Sequence, residues 1–154
     1  MITDYDSYIT YFETIAGEHL AINDFVYGGS QRILARETSD LAYPVLWLEI
    51  PDVVPFTGDS DLRLRFAGGM MILQNTPQDF DEEDDAMNTT YGIAIGIIQR
   101  LMDDAENGLF DFDPTNAVLQ AKPPFSGDND HGWHIDFDIS ISASACLNES
   151  DWEE

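Results

Sequence analysis

The chain has 154 residues, with 30 acidic side chains against six basic ones and a formal charge of −24. A surface of that sign repels DNA, RNA and anionic membranes, which excludes ordinary nucleic-acid or membrane-surface binding. Its 44% hydrophobic and 12% aromatic content excludes a disordered acidic tail, which lacks the apolar residues to fold.

One domain over residues 1–154 is the expectation from length. No basic stretch followed by an apolar run opens the sequence, so no signal peptide is visible. The richest apolar stretch, Tyr91 to Leu101, contains Gln99 and Arg100 and is too short for a bilayer span. Cys146 is the single cysteine. It cannot form an internal disulfide, and a strand pattern favours a small buried hydrophobe over a nucleophile there.

In chain order, Tyr5, Tyr8, Ile9, Phe12, Ile15 and Ala16 recur at helical spacing. They predict a helix over about residues 4–16, with Thr3 or Asp4 as N-cap and Gly17 as its stop. Tyr11 lies off that apolar face and reads as surface or as an interface contact. Phe25-Val26-Tyr27 suggests a short strand broken by Gly28-Gly29-Ser30, and Ile33-Leu34-Ala35 a helical turn between Arg32 and Arg36. Those two cations read as pairing with local carboxylates.

Tyr43 to Ile50 predicts a strand apolar on both faces, hence one covered on both sides or set at a subunit contact. Asp61 to Asn75 predicts a strand or a pair of strands, with Gly68-Gly69 as a bulge or hairpin turn. The run Asp79 to Asp85 opens the clearest helix, closed by Asn107-Gly108. Its carboxylates suit the positive end of the helix dipole. Met87, Tyr91, Ala94, Ile95, Ile98, Leu101, Met102 and Ala105 form its main stripe. Ile93 and Ile97 form a second apolar row, and Gly92 and Gly96 a flat one, the pattern of a helix packed on more than one side.

Ala117 to Ala121 suggests a strand ended by Pro123-Pro124. The longest strand signal follows. Trp133, Ile135, Phe137, Ile139, Ile141, Ala143 and Ala145 alternate with His134, Asp136, Asp138, Ser140, Ser142 and Ser144. Such a stretch reaches roughly 40 Å. Residues 148–154 read as a flexible acidic tail with Trp152 as a docking anchor or a tucked aromatic. The elements together predict an α+β fold: a mixed or antiparallel sheet packed by an N-terminal helix and one long central helix, with a long C-terminal strand.

The sequence shows no catalytic residue, no cofactor site and no metal site. His131 and His134 are an odd number apart and fall on opposite faces of a strand. His134, Asp136 and Asp138 share a face and are the one divalent-ion candidate, against a solvated polar face. Asp128, Asp130 and Gly132 fail the calcium-loop pattern, and Ala67-Gly68-Gly69-Met70 lacks the lysine and helix of a phosphate loop.

The order of the Asp4–Ala16 helix, Tyr43–Ile50, the Asp81–Gly108 helix and the Trp133–Leu147 strand resembles the small α+β neck proteins of tailed phages and phage-like injection particles. Tail terminator and tail-completion proteins are the nearest subgroup. The likeness covers most of the chain and rests on topology, without a fixed motif. It implies a virion structural protein rather than an enzyme. Copies would form a homo-oligomeric ring, typically sixfold, capping the tail tube and joining it to the head connector. Such a protein is expected in the cytoplasm during assembly and then in the particle, with no membrane partner. DNA would pass an acidic lumen without specific binding. The residues expected at subunit contacts are Tyr43, Trp47, Ile93, Ile97, Trp133, Ile135 and Phe137. Two other classes fit the composition: a monomeric acidic inhibitor, immunity protein or DNA mimic, and a small metal-dependent enzyme using His134, Asp136 and Asp138.

Overall fold

The structure is a computed structural model that describes residues 1–29, 31–32, 40–59, 61–76, 79–122 and 129–143. Helix α1 spans Tyr5–Glu18 and starts at an Asp4 capping box: the Asp4 carboxylate accepts from the Ser7 N–H, and the Ser7 hydroxyl oxygen accepts from the Asp4 N–H. This reciprocal pairing satisfies N–H groups that have no partner inside the helix. The helix passes Gly17 and ends with His19 as C-cap.

Strands β1 (Asp24–Tyr27), β2 (Val45–Leu48), β3 (Asp52–Gly58), β4 (Asp61–Asn75), β5 (Val118–Lys122) and β6 (Asp130–Ser142) form one six-stranded sheet. Its order is β1-β2-β4-β6-β5, with β3 also on β4. Among the described residues only β1 and β2 pair in parallel; β4 pairs antiparallel with β2, β3 and β6. This is the mixed sheet of the expected α+β class. The long helix α2 is Phe80–Glu106.

Strand β4 is the spine. Its second half pairs with β2 and its first half with β3, both along the same edge, while β6 runs beside nearly all of it. The register shifts by one residue between Leu48↔Met70 and Asp52↔Ala67. Residues 49–51 therefore form a bulge-like step between β2 and β3. Contrary to the sequence expectation, Gly68-Gly69 is neither a bulge nor a turn: both residues sit in unbroken ladder with Phe137 and Asp136. Strand β3, with Pro55 in its middle, is an element that the sequence pattern does not predict.

Both helices cover one face of the sheet. Tyr8, Phe12 and Ile15 from α1, and Ile93, Ala94, Ile97 and Leu101 from α2, pack with Leu46, Phe66, Met70, Ile72, Ile135, Phe137 and Ile139. The buried face of α2 is thus centred on the row Ile93 and Ile97. Of the stripe expected to be primary, Tyr91 and Met102 are exposed. A polar clamp fixes the helices to each other: Asp104, buried on α2, accepts from the Tyr11 hydroxyl at 2.7 Å and from Arg100 Nε at 2.8 Å. Tyr11 is thereby half-buried, with edge-on ring contacts to Phe12 and Phe110.

On the opposite face, Val26, Leu41, Val45, Trp47, Met71 and Leu73 form a smaller second core. All four residues of β2 are buried, as the two-faced apolar pattern predicted. Strand β6 begins three residues before Trp133. The turn at residues 33–35, Arg36, Pro123-Pro124, Cys146, Trp152 and the 148–154 tail lie outside the described residues. Among the described residues no helix is long and apolar enough to cross a membrane.

Candidate functional site

Strand parity places His131 and His134 on opposite faces. His131 faces α2, where its Nε2 lies 3.5 Å from Glu83 without forming a hydrogen bond. Trp133, two residues on and on the same face, donates its indole N–H to the Met87 carbonyl oxygen at 3.0 Å.

His134 lies on the other face, buried against β4. Its Nε2 is 3.0 Å from Glu49 Oε2 and its Nδ1 is 3.5 Å from Asp136 Oδ1. The longer approach is not a hydrogen bond, and among the described residues Nδ1 has no hydrogen-bond partner. The two carboxylates therefore address opposite edges of one imidazole ring. A single ion cannot be held by both carboxylates and the ring in that arrangement, since ligands must converge on one centre. Among the described residues no three His, Cys, Asp or Glu side chains are placed to hold a metal ion. The cluster packs two carboxylates around one buried imidazole ring on the sheet surface, with room for it given by Gly69 beneath.

Of the residues expected at subunit contacts, Trp47, Ile93, Ile97, Ile135 and Phe137 are buried within the single chain. Trp47 also donates its indole N–H to the Gly28 carbonyl oxygen at 2.7 Å. Their apolar area belongs to the two cores. Tyr43 and Trp133 are half-buried, each packed against one of those cores.

The exposed apolar surface gathers instead on the hairpin of β3 and the start of β4. Every β3 residue from Asp52 to Thr57 is exposed. Val53, Val54, Phe56 and Leu62 are 38–50% exposed, and Ile50 at the base 59%. Register puts Val54 and Phe56 on the face away from the helices, with Arg63 and Arg65, and Val53 and Leu62 on the other. Arg63 lies over the Phe56 ring at 6.0 Å and pairs with Asp111. Isolated exposed hydrophobic residues are ordinary; here several stand together on one hairpin, on both of its faces.

Pro55 shapes the outer edge of the hairpin. Proline has no N–H and is tolerated in a strand only with its nitrogen turned away from the ladder. The outer edge of β3 therefore lacks a donor at its middle, which discourages addition of another strand. The hairpin is an arm that presents side chains. Its sequence signal is Val53-Val54-Pro55-Phe56 between Pro51 and Gly58, a β-rich run disguised by its proline.

No protein-family model matches the chain, and neither a curated protein nor a solved structure matches it.

Proposed function

We propose that this chain is a non-enzymatic structural protein that assembles with copies of itself into a ring at the neck of a tailed phage or phage-like particle. In this reading the ring terminates the tail tube and meets the head connector, after assembly in the cytoplasm. One observation carries it: the β3–β4 arm leaves Val53, Val54, Phe56 and Leu62 exposed on both faces, beyond the part of the sheet that the helices cover. An isolated monomer gains nothing from such an arm, whereas an assembly buries it.

The charge of −24 supports the second half of the reading. A wall of carboxylates repels phosphate and lets DNA pass without sticking. The same charge opposes assembly, and salt screens that repulsion.

The test is analytical ultracentrifugation of the purified chain at low and high salt. A discrete ring-sized species that strengthens with salt is expected. A strict monomer at every salt and concentration removes the reading and favours a monomeric acidic protein that binds a basic partner. A map of the assembled ring with a neutral or basic inner wall removes the DNA-channel element alone.

A further inference from the structure

The arm and the start of α2 lie at opposite ends of the same two strands. Arg63 pairs with Ser142 near the end of β6, and Asn75 pairs with Asp130 at its start. The start of β6 contacts α2 through His131–Glu83 and Trp133–Met87. At about 3.3 Å per residue, β4 separates its two ends by roughly 45 Å.

The two ends differ in chemistry. The arm carries Arg63 and Arg65, two of the chain's six basic residues, among exposed apolar side chains. Its own acids, Asp52, Asp59 and Asp61, stand at its base and tip. Arg63 is held by Asp111, while Arg65 is exposed and has no ion pair among the described residues. The far end carries six carboxylates between Asp79 and Asp85, with Phe80 among them at 85% exposure. Within that run the one described ion-pair contact is Glu83 with His131. One end thus presents a cation among apolar groups, and the other an exposed aromatic ring within a dense run of anions.

We propose that the β3–β4 arm of one copy docks on the first turn of α2 of the next copy, with Arg65 among the carboxylates and Phe80 against Val54 and Phe56. The proposal rests on the assembly reading above and names the surfaces that make it. Because the two surfaces are different and lie at opposite ends, the contact is head-to-tail. A head-to-tail contact propagates and closes as a ring when its rotation permits. The apolar groups supply the attraction, and the cation selects the acidic end over the rest of an acidic molecule.

The experiment is sedimentation at one fixed salt at which the wild-type chain assembles, with circular dichroism to check folding. Arg65→Glu and Phe80→Ser alter exposed side chains, and each is expected to weaken association about tenfold or more. Glu82→Arg combined with Arg65→Glu is expected to restore it. Glu13→Arg on α1, which changes the net charge equally, is expected not to restore it. If the wild type assembles and both single variants assemble as well as it does, the docking is overturned while the assembly reading stands. Rescue by Glu13→Arg as good as by Glu82→Arg overturns the assignment to the acidic turn, as does failure of Glu82→Arg to rescue. A wild type that never assembles overturns both readings.

Discussion

Glu49 and His134 meet across the backbone of β4, Oε2 to Nε2 at 3.0 Å, and Gly69 is the residue they pass over. A Cβ at position 69 would sit 2.2 Å from Glu49 Oε2 and 2.9 Å from His134 Nε2. The neighbouring Gly68 does the same on the opposite face, where a Cβ would lie 2.4 Å from the Tyr8 hydroxyl. The glycine pair is therefore the place where the spine of the sheet admits a side chain closely on each face.

This geometry separates two glycines by cost. In Gly69→Ala the obstructing atoms are the tips of side chains, and Glu49 swings away, so the expected loss is about 1 kcal/mol or less. In Gly132→Ala the new Cβ would lie 1.7 Å from the Ile72 carbonyl oxygen, which is backbone in the centre of the sheet. That clash can be relieved only by moving a strand, and a loss of about 3 kcal/mol or more is expected. Urea unfolding of both variants measures the contrast, and equal losses contradict the structure.

Two α1 tyrosines one turn apart should respond oppositely to loss of their hydroxyls. Tyr8 is fully buried and its hydroxyl has no hydrogen-bond partner among the described residues, whereas the Tyr11 hydroxyl donates to the buried carboxylate of Asp104. Tyr8→Phe removes an unsatisfied polar group and is expected to be neutral or stabilising by up to about 1 kcal/mol. Tyr11→Phe takes a donor from a charged acceptor and is expected to destabilise by about 1.5 kcal/mol. The midpoints of denaturant curves should therefore move apart, and a Tyr8→Phe variant markedly weaker than Tyr11→Phe would contradict this account.

The same hydroxyls set an alkaline limit. Burial raises the ionisation of Tyr8 well above the ordinary phenol range, helped by the charges of Tyr27, Tyr5 and Glu49. Burial, then the hydrogen bond to Asp104 and its charge, raises that of Tyr11. A phenol whose pKa is raised on folding keeps its proton in the native state after the unfolded chain has lost it. Its contribution is complete below the unfolded value of about 10 and declines as pH rises above it. Stability measured between pH 9 and 11 should fall in the wild type and fall less steeply in the Tyr8→Phe, Tyr11→Phe double variant. Parallel slopes would remove the tyrosines as the cause.

What the sequence disclosed follows from which signals are local. Apolar period and caps are local, so α1, α2, β2 and β6 were legible, including the Asp4 cap and the opposite facing of His131 and His134. Gly68-Gly69 misled because glycine usually breaks a strand, and the side chains that close over it, Tyr8 and Glu49, come from distant parts of the chain. Pro55 hid β3 for a similar reason: proline argues against a strand until one knows that the strand has a free edge. The residues expected at contacts share apolar character, which marks cores as readily as interfaces. Five of them proved to lie in the two cores, and the exposed apolar set stood on the strand the proline concealed.

The long helix shows how closely two apolar rows compete. Ile97 is 1% exposed and packs in the core between α2 and the sheet, whereas Tyr91 is 47% exposed and rests its ring edge-on against Trp133 at 5.3 Å. Truncating Ile97 to Ala removes buried methyl and methylene groups and leaves a cavity, for an expected loss of about 2–5 kcal/mol. Tyr91→Ala removes one aromatic contact at the surface, worth about 0.5–1.5 kcal/mol. Thermal or urea unfolding at one low protein concentration compares the two. A larger loss for Tyr91→Ala would mean that the helix is rotated, with the Tyr91 stripe rather than the Ile93–Ile97 row facing the sheet.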